Sequence, residues 1–374
     1  MLVKQYPFYF KSTVVLFGLI LLVYILNTLA AILIPLAFAV LFSVLLNPLF
    51  NRFMQLKVPR AIAVLITLLI GVGFTTVIFY LLSTQLVQFG ETFPLLKVRL
   101  GHLIDNLEQW IYLKSGISTQ KQVAFIKNVI DSSQALIGST IGTVFGTLSL
   151  ILLVPVYVFM MLFYKTLILN FLYEVFSEEH STRVGEILSQ TKTAIQSYIF
   201  GLLIEMVIVA ALNCSALIIL DVKYPILLGI LGAMINMLPV IGGFIAILLP
   251  VLIATVTKDG FSTQIGIIVS YMFIQFVDSN FIFPRFVSLK VQINALISIV
   301  AVLLGNAVWG LSGMFLSIPF IAVLKIIFDR VDDLKPWGKL LGHEVPVKHM
   351  GQIWGRRRRK KNTAESTPIS LTEN

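Results

Sequence analysis

Charge is scarce in this chain. Of 374 residues only 12% are charged, about half of what a water-soluble domain carries, while 57% are hydrophobic and the mean hydropathy is +0.93. Several apolar runs exceed the ~18 residues that mark a spanning helix. That excludes a soluble globular domain and makes the chain a polytopic membrane protein. Cysteine is scarcer still: Cys214 stands alone, so neither an intramolecular disulfide nor a thiolate metal cluster can form. Lying inside an apolar run, it reads as a packing residue. The four histidines, His102, His180, His343 and His349, fall in polar segments without metal-ligand spacing, and neither a Walker loop nor a G-x-S-x-G occurs. ATP-driven transport within the chain, enzymatic activity, a metal and a cofactor are therefore not expected. Acidic residues are the rarer sign, 18 against 28 basic ones. In a membrane protein that excess marks cytoplasmic loops first, and no nucleic-acid partner is inferred from it.

What is present is a succession of apolar runs. Lys4 and Lys11 precede Thr13 to Pro35, which is too long for a signal peptide and lacks its cleavage site. It is expected as the first spanning helix, with the chain turning back after Pro35. A shorter element ends at Asn47-Pro48. Arg52, Lys57 and Arg60, with no acidic residue among them, put the next loop on the cytoplasmic side, and Ala61 to Leu82 is a third span. Residues 1–88 thus form an N-terminal membrane unit. Residues 89–140 carry charges of both signs among regularly spaced Leu, Ile and Val, the pattern of an amphipathic helical arm on the extracytoplasmic side. Residues 141–330 read as a transmembrane core: a span from Ile141 to Tyr164, a cytoplasmic helical linker over 165–197, then Tyr198 to Leu220, Gln264 to Phe283, Ala295 to Val308 and Met314 to Phe328. Residues 331–374 are a basic cytoplasmic tail, partly disordered, whose RRRRKK (Arg356 to Lys361) suits anionic lipid.

From Tyr224 to Pro250 the chain reads YPILLGILGAMINMLPVIGGFIAILLP. It is apolar enough for a bilayer, yet Asn236, Pro239, Gly242, Gly243 and Pro250 interrupt it. Pro239 removes a donor and disfavours helical geometry at Leu238; Gly242-Gly243 lets the backbone turn and approach a neighbour. Side counting points the same way. With both termini cytoplasmic, a single crossing here leaves RRRRKK outside, and two crossings need roughly 40 residues. A re-entrant hairpin over 224–257 meets both constraints; a kinked packing helix is the plainer alternative. Non-helical backbone survives in hydrocarbon only against protein or a wet cavity, and half-helix ends are where secondary transporters build their sites. Asn236 adds an amide that both donates and accepts.

Other polar residues interrupt the apolar runs. FVDSNFIFPRF, Phe276 to Phe286, sets Asp278 and Asn280 on an apolar helix, with Gln275 before them and Pro284 after. A carboxylate there marks an ion or proton pathway, or is an interfacial Asp solvated beside Arg285. Glu205, about two turns into its span, is either a proton-exchanging group or a helix-pairing carboxylate near the interface. LLGNAVWGLSGMFLSIPF, with Gly305, Asn306, Gly310, Gly313 and Pro319, reads as a tight external turn with close helix packing.

The order PVYVFMMLFYK, LLGILGAMINMLPVIGGFIAILLP, DSNFIFPRF and GLSGMFLSIPFIAVLK resembles the AI-2E transporter family of PerM-like membrane proteins, from about Pro35 to about Lys325. The resemblance implies a bacterial inner-membrane protein with about eight spans, an inserted amphipathic arm and re-entrant segments, assembled as a homo-oligomer with a pentamer as the expected stoichiometry. Some members are linked to export of the quorum-sensing signal autoinducer-2, others to sodium/proton exchange. The family's IP-x-x-G element falls on Leu238, Pro239 and Gly242, with Leu for Ile, and its Asn-then-Pro helix on Asn280 and Pro284. Members often carry Gln or Lys after the Gly of the fifth span; here Leu202 follows Gly201, and Glu205 comes later. Three functions compete: a secondary carrier for a small polar solute or signal, a monovalent cation/proton antiporter, and a membrane scaffold that transports nothing.

Overall fold

Proline and glycine mark some of the places where this chain stops being a plain helix, at Pro284 and Gly310, but Pro35, Pro48 and Pro250 lie inside helices. The computed structural model describes residues 7–78, 80, 83–84, 101, 152–176, 181–238, 242–258, 260–287 and 293–342. The arm expected over 89–140, Gly101 apart, the histidines at 102, 180, 343 and 349, and the RRRRKK run lie outside them. Among the described residues the elements are helices: α1 (Phe8–Thr28), α2 (Ala30–Gln55), α3 (Arg60–Ile78), α4 (Leu152–Phe163), α5 (Lys165–Val175), α6 (Ser181–Ile219), α7 (Pro225–Asn236), α8 (Gly242–Thr257), α9 (Ser262–Phe286), α10 (Ala295–Arg330) and α11 (Lys335–Leu341). Five of these, α2, α3, α6, α9 and α10, are long and apolar enough to cross a membrane, and α4 with α5, bent by 65°, makes a sixth if the pair is one span. The chain is an all-α polytopic membrane protein, with five or six candidate spans among the described residues where the resemblance implied about eight.

Two expected boundaries move. The first apolar run breaks at Leu29 (φ −95°, ψ 14°), and Pro35 lies inside α2 rather than at the turn. The second part of the linker, from Ser181, and the span that follows it are one helix, while Lys165–Val175 is a separate one. α6 runs unbroken for 39 residues, about 58 Å at 1.5 Å per residue, against about 30 Å of hydrocarbon. Roughly half of it therefore stands outside the membrane. No proline falls between Ser181 and Ile219, so nothing in the local sequence stops the helix where polarity changes.

Pro48 explains how α6 is fixed to α2. A proline inside a helix cannot donate to the carbonyl four residues earlier, which here is Val44. The Gln196 Nε2 donates to that Val44 oxygen at 2.7 Å, so the side chain of α6 replaces the bond that Pro48 cannot make. Around it Leu41, Ile195, Tyr198, Ile199 and Leu202 pack with Val287 and Leu316. Gln196→Leu keeps the volume and leaves a half-buried carbonyl unpaired, which costs about 1–3 kcal/mol; thermal unfolding of the detergent-purified variant should show a lower Tm than the parent chain, and an unchanged Tm would refute this role.

α10 is two helical legs joined at a kink. Trp309 (φ −131°) and Gly310 (φ 57°) leave helical geometry, and only glycine enters the left-handed region of Gly310 without strain. A Cβ built on Gly305 would lie 2.4 Å from the Gly313 carbonyl oxygen, and one on Gly313 would lie 1.9 Å from that of Gly305. Residues eight apart in a straight helix are about 12 Å apart along the axis, so the legs 295–308 and 311–330 fold against each other. The Trp309 Nε1 donates to the Leu26 carbonyl at 3.0 Å, satisfying one of the orphan oxygens at the end of α1. Residues 331–342, expected as the start of the tail, cap the other end of α10. The Asn294 side chain accepts from Ile297 N at 2.8 Å and donates to the Leu340 and Gly342 carbonyls at 2.7 and 3.1 Å, which ties α11 to the start of α10.

Candidate functional site at the broken helices

The hairpin begins with a tight return from α6. Asp221 (φ 50°) and Tyr224 (φ 58°) take left-handed conformations, so α7 doubles back on α6 within five residues. Small residues let the two helices touch: a Cβ on Gly229 would lie 2.4 Å from Cys214 Sγ, and one on Gly232 3.3 Å from Asn213 Nδ2. Cys214 is thus a packing residue against α7. α7 has 12 residues and α8 has 16, about 18 and 24 Å, and each falls short of a bilayer core. Pro239 lies outside the described residues. On the far side of the break, a Cβ on Gly242 would lie 2.2 Å from the Ile235 carbonyl and 2.7 Å from Asn236 Cα, so the start of α8 presses on the end of α7. The outer ends meet as well. Lys258, just after α8, pairs with Asp221, just before α7, and the ammonium holds this exposed carboxyl below the usual carboxylate range.

α9 faces the break with a distorted turn. Residues Asp278–Ile282 form a π turn, for which Pro284 supplies the cause: it cannot donate to the Asn280 carbonyl, and the helix widens ahead of it. The Asn280 Nδ2 donates back to the Phe276 carbonyl at 2.8 Å and the residue is exposed. Asn280 is therefore a helix-repair group and does not reach the site, and Pro284 shapes it from outside.

The structure brings together Asn236, Gly243, Gln275 and Asp278. The Asn236 Nδ2 donates to Asp278 Oδ2 at 3.0 Å, bridging the broken end of α7 to the π turn. A Cβ on Gly243 would lie 1.9 Å from Gln275 Oε1 and 3.0 Å from Asn236 Oδ1; the missing side chain is the space those amides occupy. Gln275 also donates to Ser279 Oγ at 3.3 Å. A cavity of about 10 Å³ remains among Asn213, Asn236, Gly243, Tyr271, Gln275 and Asp278, room for a single water or bare ion. Around it the polar groups are buried and incompletely partnered: Asp278 is 3% exposed, Glu205 4% and Asn213 2%. Asp278 Oδ1, Glu205 Oε2, Asn213 Oδ1 and the Tyr271 hydroxyl have no hydrogen-bond partner among the described residues. Glu205 lies close enough to Asp278 for their charges to act on each other. Of these oxygens, that of Asn213 only accepts, and those of Asp278 and Glu205 only accept while the carboxyl is ionised.

Two members of the site escaped the sequence reading. Glu205, Val209 and Asn213 follow i, i+4 and i+8, one stripe of α6. Tyr271, Ile274, Gln275 and Asp278 follow i, i+3, i+4 and i+7, one face of α9. That spacing was the available signal. A larger groove of about 350 Å³ between α6 and α9 is lined by Leu212, Ile219, Leu220, Phe273 and Val277, and lacks comparable polar chemistry.

Broken half-helices, a buried carboxylate with half-buried amides at the break, and apolar spans around them are the features of a membrane transport protein. The chain belongs to the AI-2E family transporters, whose family model matches residues 13–333. It is 24% identical over 307 residues to the AI-2 transport protein TqsA of Escherichia coli (strain K12), covering 80% of this chain and 86% of that protein. To YrrI of Bacillus subtilis (strain 168) it is 22% identical over 307 residues, 79% and 85% of the two chains. PerM of Escherichia coli (strain K12) matches at 24% identity over 184 residues, about half of each chain.

Proposed function

We propose that this chain is a secondary transporter that moves a small polar solute or signal molecule across the bacterial inner membrane, with the α7–α8 hairpin re-entering from one side and both termini cytoplasmic. The observation that carries the reading is the Asn236–Asp278 bridge, a polar contact set at the break between two half-helices and walled by apolar spans. Burying such groups is costly unless a ligand completes them. The remaining cavity holds one water or bare ion, so a larger solute enters only when the hairpin moves against α6 and α9. The pairing of Lys258 with Asp221 supports a hairpin whose two ends share one face. Its likeness to TqsA makes autoinducer-2 the first solute to assay, and a homo-oligomer is the assembly in which to assay it.

A second reading, monovalent cation/proton exchange, draws on the unpartnered acceptor oxygens of Asp278, Glu205 and Asn213, the donor set of an alkali cation. Proteoliposomes separate the two. Sodium-driven proton flux that falls about tenfold or more in Glu205→Gln supports exchange; solute uptake without such flux supports the carrier. Membrane-impermeant thiol labelling of Lys223→Cys and Lys258→Cys in a Cys214→Ala background should mark both from one side, and marking from opposite faces would refute the re-entrant hairpin. A scaffold predicts that Gly242→Leu, correctly inserted, keeps full function.

A further inference from the structure

At the bundle end where α2 gives way to α3, three cations gather, and among the described residues none of them has an anionic partner. Lys165 stands at the bend between α4 and α5. Its Nζ donates to Asn47 Oδ1 at 2.7 Å and Asn51 Oδ1 at 3.3 Å and lies 6.0 Å from the centre of the Phe50 ring. Two neutral amide oxygens use two of its three donors. Arg60, which opens α3, sits over Phe163 at 5.7 Å and gives one N–H to Thr166 Oγ1 at 3.1 Å. Lys192 lies on α6 one turn before Gln196, the residue that grips α2 at Val44. Arg60 reaches Thr166, the neighbour of Lys165. Lys192 stands one turn from Gln196 on α6, as Asn47, which holds Lys165, stands about one turn from Val44 on α2. Both charges therefore act against that of Lys165.

Among the described residues the packed helices supply no carboxylate to these cations. No Asp or Glu precedes Glu91 in the sequence, so α2 and α3 contain none, and none lies in α4. Glu174 of α5 and Glu186 of α6 are the nearest carboxylates in sequence on the packed elements; Glu186 is engaged by Arg330. Among the described residues, none of the three cations makes an ion pair, whereas Lys258, Lys325, Arg330, Arg183 and Lys335 all do. The positive-inside tendency does not require this arrangement. Arg52 and Lys57 satisfy it from exposed positions, while Lys165 is half-buried and held in place by two amides. Three like charges held together repel one another, and the ring faces and neutral amides offset only part of that repulsion; a tetrahedral phosphate accepting from the guanidinium fork and two ammonium groups removes it.

We propose that Arg60, Lys165 and Lys192 form a phosphate-group binding site at the membrane rim, separate from the polar break between α7 and α9. The chemistry it recognises is a phosphate oxyanion, carried either by an anionic phospholipid headgroup or by a soluble phosphate compound. The α4–α5 bend, with Lys165 at its corner, is then held by the bound anion, so occupancy stiffens the junction between the N-terminal helices and α6.

The test uses the full-length protein purified in a neutral detergent. In one arm, native mass spectrometry counts retained phosphatidylglycerol against phosphatidylcholine; in the other, thermal unfolding is followed with inorganic phosphate or pyrophosphate and with sodium chloride at matched ionic strength. The parent chain should retain phosphatidylglycerol selectively, or be stabilised by phosphate beyond the salt control, and the responding arm names the source. Lys192→Gln, an exposed change that leaves the fold intact, should weaken the response about tenfold, and Arg60→Gln with Lys192→Gln should remove it. Arg52→Gln with Lys57→Gln should leave it unchanged. The proposal fails if the parent responds in neither arm, or if the Arg60/Lys192 pair of changes matters no more than the Arg52/Lys57 pair.

Discussion

Asp278→Asn should reduce transport in proteoliposomes by about ten- to hundredfold while leaving the Tm of the purified protein within a few degrees of the parent. The expectation follows from the two oxygens of this carboxylate. Oδ2 accepts the Asn236 amide at 3.0 Å and ties the hairpin to the π turn; Oδ1 is buried and has no partner among the described residues. An asparagine in the same rotamer presents its oxygen to Asn236 and keeps that tie. What it loses is the charge and the free acceptor, the features a solute or cation would engage. Hydrogen bonds to a charged group contribute about 1.5–3 kcal/mol, and each 1.4 kcal/mol is tenfold in affinity, which sets the range. A variant that transports at the parent rate would remove Asp278 from the pathway. One that also unfolds early would assign it to the scaffold of the hairpin instead.

The second large effect is a reversal of sign. Gly201 lies in the middle of α6, where helix propensity alone makes Gly→Ala stabilising by up to about 1 kcal/mol. The packing says the opposite. A Cβ at Gly201 would lie 2.2 Å from the Phe286 carbonyl oxygen, 2.9 Å from its carbon and 3.1 Å from Val287 Cα, all backbone atoms that no rotamer change can move. Gly201→Ala should therefore destabilise by about 2 kcal/mol and Gly201→Leu by about 3 kcal/mol or more, seen as a falling Tm in detergent. Phe286 closes α9 four residues beyond the π turn that ends at Ile282, so the displacement also reaches Asp278, and transport should fall further than stability. If Gly201→Ala raises the Tm, α6 and α9 are not in backbone contact here. Close approach through small residues is a common way for helices to associate where water supplies no driving force.

Several features of the site were readable in order along the chain. The interruption between Asn236 and Gly243 followed from Pro239 and a Gly-Gly pair within a few residues, a combination that disfavours a continuous helix, and α7 and α8 are separate helices there. Asp278 and Gln275 were visible as polar residues on an apolar stripe. Asn280 was read with them and does not belong: two residues from Asp278 means about 200° around the helix, and the widened turn directs its amide to Phe276. Glu205 was left between two readings, and its 4% exposure favours a buried carboxylate over an interfacial one. Asn213 and Tyr271 were passed over because a single polar residue in a long apolar run carries no local signal; only the register with Glu205 or with Asp278 gives it meaning.

The amino-acid order by itself determined that this chain lives in a membrane, that it is helical, and that the run from Tyr224 is interrupted, because hydropathy, proline and glycine act through the backbone within a few residues. It did not place every break, since Pro35 and Pro250 lie inside helices and the first run breaks at Leu29. It could not determine which failed segments meet. That Gln196 serves the carbonyl freed by Pro48, that Asn236 reaches Asp278 across 42 positions of sequence, and that Gly201 admits Phe286 are contacts between distant elements, and tertiary packing alone decides them, since a buried polar group is satisfied by whichever partner the fold delivers.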